Sequence, residues 1–184
     1  MKNKKLIFIT QAAAIAAMYA VLTLAQGAIL PYLTFGPVQF RVSEVLTILA
    51  FYTPATIPGL TLGCVIGNML SSLGFLDMVF GPIASLLAAL TMYGLRNVRF
   101  KTLPLVGSLM PALWNGLIVG FTIELTDAIS RLSASGGELS FYFVNFLIWG
   151  GWVALGELGV LLILGLPFCK VIEKTGLDKK IQIA

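Results

Sequence analysis

The chain has 184 residues, of which 58% are hydrophobic and only 11% charged, with a mean hydropathy of +0.96. A water-exposed surface needs a larger share of Lys, Arg, Asp and Glu, so an ordinary soluble domain is excluded. Twelve Lys and Arg against eight Asp and Glu give a net charge of +4, but the basic residues sit outside the apolar runs, as in a membrane topology signal and not as in a nucleic-acid surface. The absence of histidine removes Ser/His/Asp and Cys/His catalysis and His-Glu-x-x-His zinc hydrolysis. Cys64 and Cys169 fall within apolar segments, far from Cys-x-x-Cys spacing, and read as buried thiols. No glycine-rich loop is followed by Lys-Ser/Thr, so the chain should not bind ATP, and no metal or other cofactor is expected in it.

A helical crossing takes about 20 mostly apolar residues, so the length accommodates about six crossings with short loops. Lys2, Lys4 and Lys5 precede the run 6–30, which is too long for a signal peptide and reads as a first span. Pro31 and Phe35-Gly36-Pro37 end it. A short second segment covers 38–53, Pro54 to Pro58 reads as a turn, and a third segment covers 59–73. Asp77 is placed to cap the fourth, 78–95, which ends at Arg96, Arg99 and Lys101. The fifth covers 103–125, followed by a polar break in which Glu124 and Asp127 should be solvated. The last run, 141–169, exceeds one span and should tilt, kink or project, before the Lys-rich tail 170–184.

The expectation is an all-α integral membrane protein, a single-domain bundle of six transmembrane helices over 1–184. The short, proline-flanked pair 38–53 and 59–73 leaves a re-entrant hairpin open. Six spans place Lys2 to Lys5, Arg96 to Lys101 and Lys170 to Lys180 on one side and only Arg41 and Arg131 on the other. Both termini are therefore expected in the cytoplasm.

On the first helix, alanines recur at four-residue spacing in two rows, Ala12, Ala16, Ala20 and Ala13, Ala17. Such rows let another backbone approach closely, either a helix of this chain or that of a partner. Polar residues inside apolar segments should face the bundle interior. Glu157, Asn115 and Asn68 are of this kind, and Asn115 and Glu157 lie at similar depth. They either bond neighbouring helices or converge on a ligand. Gln39, Arg41, Ser43 and Glu44 crowd the start of the second segment, where Arg41 and Glu44 either pair with each other or edge an outward-facing pocket. Trp149 and Trp152 lie in the outer half of the last segment, a position typical of interfacial anchors, and Trp114 sits beside Asn115.

The alanine rows, the run Phe35-Gly36-Pro37-Val38-Gln39-Phe40-Arg41-Val42-Ser43-Glu44, Pro58-Gly59-Leu60 to Gly67-Asn68, Asp77 to Gly81 and Val153-Ala154-Leu155-Gly156-Glu157 together resemble the QueT family over nearly the whole chain. That family comprises substrate-binding S components of energy-coupling factor (ECF) transporters. The resemblance implies a bacterial cell-membrane protein that binds a queuosine precursor from outside and docks through its first helix on a transmembrane coupling subunit, with two cytoplasmic ATPases supplying the energy. The implied ligand is a 7-deazaguanine such as 7-aminomethyl-7-deazaguanine (preQ1), with queuine or the nitrile precursor as alternatives. Glu44 or Glu157 would then accept its N–H donors. Gln39, Arg41, Asn68 or Asn115 would serve its carbonyl, Asp77 would be a further carboxylate at the site, and Trp149 or Trp152 would stack on the ring. An S component for another vitamin or nucleobase, or a solo secondary transporter, is the alternative. An enzyme using Glu157 and Asp77 as acid and base lacks an accompanying nucleophile or metal set.

Overall fold

The computed structural model describes residues 3–100, 104–135 and 139–182. Lys2, Lys101, the expected start of the fifth span at Leu103, residues 136–138 and the last two residues of the tail lie outside the described residues. Every element among the described residues is helical: α1 (Lys4–Ile29), α2 (Pro31–Phe35), a 3-10 segment (Val42–Phe51), α3 (Thr56–Gly67), a 3-10 turn (Asn68–Leu70), α4 (Phe75–Gly94), α5 (Leu105–Ser108), α6 (Met110–Ser135), α7 (Phe143–Val160), a π segment (Leu161–Gly165), α8 (Leu166–Lys174) and α9 (Leu177–Ile181).

Four helical stretches are long and apolar enough to cross a membrane: Lys4–Ile29, Phe75–Gly94, Leu105–Ala134 and Phe143–Lys174. The other two expected spans are shorter, at Val42–Phe51 and Thr56–Leu70. Contacts along α1 give their directions. Ala12, Ala16 and Thr23 of α1 meet Gly59, Gly63 and Gly67 of α3 in register, so α1 and α3 run parallel. Between them the 3-10 segment runs the opposite way, because Gln26 and Tyr19 bond its Phe40–Glu44 end and Gln11 bonds Thr53 just beyond its other end.

The 3-10 segment is the axial element of the bundle, in contact with α1, α3, α4, α7, the π segment and α8. Ser43, Glu44 and every residue from Leu46 to Phe51 are buried. At about 2.0 Å rise per residue, ten residues reach about 20 Å, against about 15 Å in an α-helix. The tighter winding lets a short segment thread the core. Ile48, Leu49, Phe51 and Tyr52 pack there with Tyr19, Leu60, Met92, Leu161 and Ile172.

Several boundaries differ from expectation for local reasons. Residues 38–41 are not helical; their chain is held to α1 and α2 by Gln26 and by the Phe40 N–H donating to the Leu33 carbonyl at 2.8 Å. Pro58 lies in the first turn of α3, where its missing N–H has no helical partner to lose, so the turn ends earlier than expected. α4 begins at Phe75 after Gly74, whose φ of 61° favours glycine. Asp77 makes no capping bond and so is not the cap. α6 continues through the expected polar break, with Glu124 fully buried and not solvated, because Arg131 NH2 lies 2.5 Å from its Oε1 and the Tyr142 N–H donates to the same oxygen at 2.9 Å. Within the long last run, the α-helical winding gives way to the π segment just before Pro167 of α8.

α6 and α7 pack closely because Gly116 and Gly120 meet Gly150; a Cβ on Gly120 would lie 2.5 Å from the Gly150 Cα. Fixing these two helices face to face sets Asn115 and Glu157 at one depth.

Candidate functional site

A cluster of polar side chains fills the bundle interior toward the end away from the lysine-rich termini. Gln39, Arg41, Ser43, Glu44, Asn68, Asp77, Asn115 and Glu157 are all buried. The fold brings Gln39, Asn68 and Asp77 around Arg41, and Glu44 and Asn115 beside Glu157.

Arg41 is its hub. Nε donates to the Thr34 carbonyl at 2.9 Å, NH1 to Asn68 Oδ1 at 3.1 Å and NH2 to Gln39 Oε1 at 2.9 Å. NH2 also lies 3.8 Å from Asp77 Oδ2, and the guanidinium carbon sits 5.8 Å from the centre of the Phe35 ring. Arg41 does not hydrogen-bond Glu44; Glu44 Oε1 instead accepts from the Tyr19 hydroxyl. Asn68 is saturated, since its Nδ2 donates to the Asp77 carbonyl at 3.1 Å and approaches Cys64 Sγ at 3.5 Å. It holds Arg41 and α4 in place and has little left to offer a ligand. Glu157 lies beside Glu44 and Asn115 and within the field of Arg41.

Four carboxyl oxygens of this cluster accept from no protein donor: Glu44 Oε2, Asp77 Oδ1, Asp77 Oδ2 and Glu157 Oε1, although Glu44 and Glu157 lie within hydrogen-bonding reach of each other and Asp77 Oδ2 pairs with Arg41 at 3.8 Å. The Gln39 amide nitrogen is a lone unpartnered donor. A buried polar group without a partner costs about 1–3 kcal/mol, more when charged, so this set of acceptors calls for a partner rich in donors. Three carboxyl groups, those of Glu44, Asp77 and Glu157, surround the one guanidinium of Arg41.

The two tryptophans separate. Trp152 is 48% exposed on the outer surface and does not join the cluster. Trp149 packs with Ala84, Val119, Ile123 and Val153, and its Nε1 is buried without a partner. Trp114 donates to Thr91 at 3.2 Å. The alanine rows separate too: Ala12, Ala16 and Ala20 are buried, the first two against the α3 glycines, whereas Ala13 and Ala17 are exposed. Ala12, Ala16 and Ala20 are thus internal packing residues and not an outward docking strip.

Sequence reasoning missed Tyr19, Thr23 and Gln26. Thr23 donates to Ser43 at 2.8 Å, and Gln26 both donates to the Phe40 carbonyl at 2.6 Å and accepts from the Val42 N–H at 2.8 Å. The signal was present as a polar stripe at four- and three-residue spacing on an otherwise apolar helix. Gly81 and Gly156 were missed as well. A Cβ on Gly81 would strike the Asn68 amide, and one on Gly156 the Gln39 carbonyl. Their lack of a side chain lets α4 and α7 close around the cluster.

The family model described as "QueT transporter" matches residues 9–174. The chain is 34% identical over 166 residues to the "Queuosine precursor transporter QueT" of Lactococcus lactis subsp. cremoris, covering 89% of this chain and 90% of the relative. No solved structure matches. The buried polar cluster and the long apolar helices thus sit in a multi-pass membrane protein that is a transporter and not an enzyme: the chain belongs to the QueT transporter family.

Proposed function

We propose that this protein takes up a queuosine precursor, 7-aminomethyl-7-deazaguanine being the best fit, and that the buried cluster is its binding site. The observation that carries this is the set of four buried carboxyl oxygens that accept from no protein donor, gathered around one guanidinium. A guanine-like edge presents adjacent N–H donors, which a carboxylate accepts in a fork. The base carbonyl takes the Gln39 amide donor, and the protonated aminomethyl group meets the remaining carboxylate charge. The neutral nitrile precursor lacks that cation and fits less well. Phe35, whose ring lies 5.8 Å from the Arg41 guanidinium carbon, and Trp149 supply the apolar faces for the ring.

The same reading makes the chain the S component of an ECF importer. In this reading the short second and third segments count as passes, giving six with both termini in the cytoplasm, which the buried 3-10 segment Val42–Phe51 and the placement of the basic residues support. The exposed Ala13 and Ala17 on α1 then form the flat strip for a coupling subunit, and ATP is hydrolysed by two partner ATPases. Mass spectrometry of small molecules copurifying with the protein tests the solute: a 7-deazaguanine is expected, and a chemically unrelated vitamin would refute the assignment. Uptake in cells lacking every coupling subunit would refute the S-component role.

A further inference from the structure

At the opposite, basic end, α4 leads into Leu95 to Arg99, and α8 turns into α9 at Gly176, whose φ of 68° is left-handed. The turn sets α9 against the end of α4 across a cavity of about 700 Å³ with Phe51, Tyr52 and Tyr93 among its walls. Arg96, Arg99 and Lys179 line it together with Glu173 and Asp178.

The charges in this cavity are unequally engaged. Arg99 pairs with Glu173, which also accepts from the Tyr52 hydroxyl at 3.0 Å. That bond holds the Arg99 guanidinium more firmly in its charged form. Arg96 stacks on Tyr93, 4.2 Å from the ring centre, and spends NH1 on the Tyr93 carbonyl at 2.9 Å. Its other nitrogens and the Lys179 ammonium make no hydrogen bond among the described residues. Asp178 Oδ1 is buried without a partner. The free groups are thus two cationic donors and one acceptor.

We infer that this cavity binds the headgroup of an anionic phospholipid with hydroxyl donors, as in phosphatidylglycerol. The phosphodiester lies between Arg96 and Lys179, and a headgroup hydroxyl donates to Asp178 Oδ1. The surroundings suit a lipid better than a soluble phosphate: Val98, Phe100 and Leu177 are exposed beside the lining residues, where acyl chains would run. The site is separate from the polar cluster and does not depend on the solute assigned above.

The test is native mass spectrometry of the full chain released from vesicles of mixed phosphatidylglycerol and phosphatidylcholine. The protein should retain phosphatidylglycerol preferentially. Arg96→Gln with Lys179→Gln should reduce that preference about tenfold, whereas Lys170→Gln with Lys174→Gln, which removes equal charge from exposed positions on α8, should change it by less than about twofold. Lys179→Gln alone, on an exposed side chain, should act in the same direction and guards against misfolding of the pair. Equal losses in both double variants, or equal retention of the two lipids, would overturn the site. Displacement of bound lipid by millimolar glycerol phosphate would overturn the lipid source in favour of a soluble phosphate. Unchanged lipid retention with lost assembly on a coupling subunit would assign the cavity to that partner instead.

Discussion

The two ends of the axial 3-10 segment are built from similar residue types and treat them differently. At the basic end, Tyr52 bonds Cys169 and Glu173, Thr53 donates to Gln11 at 3.0 Å, and Gln11 donates to the Ile181 carbonyl at 3.0 Å, so the polar groups that flank the segment there are spent on one another. At the polar end, Glu44, Asp77 and Glu157 each keep a buried oxygen that accepts from no protein donor. A buried network with missing partners is costly unless a guest supplies them. The contrast separates polar groups that hold helices together from polar groups that hold a solute.

The largest test of that contrast compares two arginines. Arg41→Ala leaves Asp77 buried beside no cation and should destabilise the protein by about 3–5 kcal/mol. Arg99→Ala removes an ion pair whose side chains are about a third exposed and should cost less than about 1 kcal/mol. Thermal unfolding in one detergent reads both, and equal effects would erase the distinction. Next, Glu157→Gln and Glu44→Gln should each weaken solute binding by about 2 kcal/mol, or about 30-fold. Calorimetry checks this, and Glu173→Gln at the basic end should leave affinity unchanged. A smaller loss, about 1–2 kcal/mol of binding, is expected for Gly156→Ala, because the added methyl pushes back the Gln39 carbonyl. Smallest in binding is Ala13→Leu with Ala17→Leu: affinity should be retained while uptake is lost. Ala12→Leu with Ala16→Leu should instead lower the unfolding temperature, since those residues abut the α3 backbone.

Much of the site could be read from the chain because a charge inside an apolar run is rare and must face inward. Extended to polar side chains, that rule singles out Asn68, Asn115 and Glu157, while Gln39, Arg41 and Glu44 stand out as a polar crowd at a segment's start and Asp77 reads first as a cap. It could not say which were spent, so Asn68 looked like a ligand residue although Arg41 and the Asp77 carbonyl consume it. It mistook Glu124 for a solvated residue because Arg131, a neutralising partner seven residues on, is reached only if the helix continues. The 3-10 winding was hidden, since ten apolar residues give the same composition in either helix. The two alanine rows differ by one residue in phase, and only the position of the α3 glycines determines which row turns inward.

The most direct measurement of the central claim is a calorimetric pair on the purified protein: 7-aminomethyl-7-deazaguanine against the same base without its 2-amino group. Unpaired carboxylate oxygens waiting for N–H donors predict at least about tenfold weaker binding of the second compound. Equal affinity for the two would mean that those oxygens do not meet the base edge.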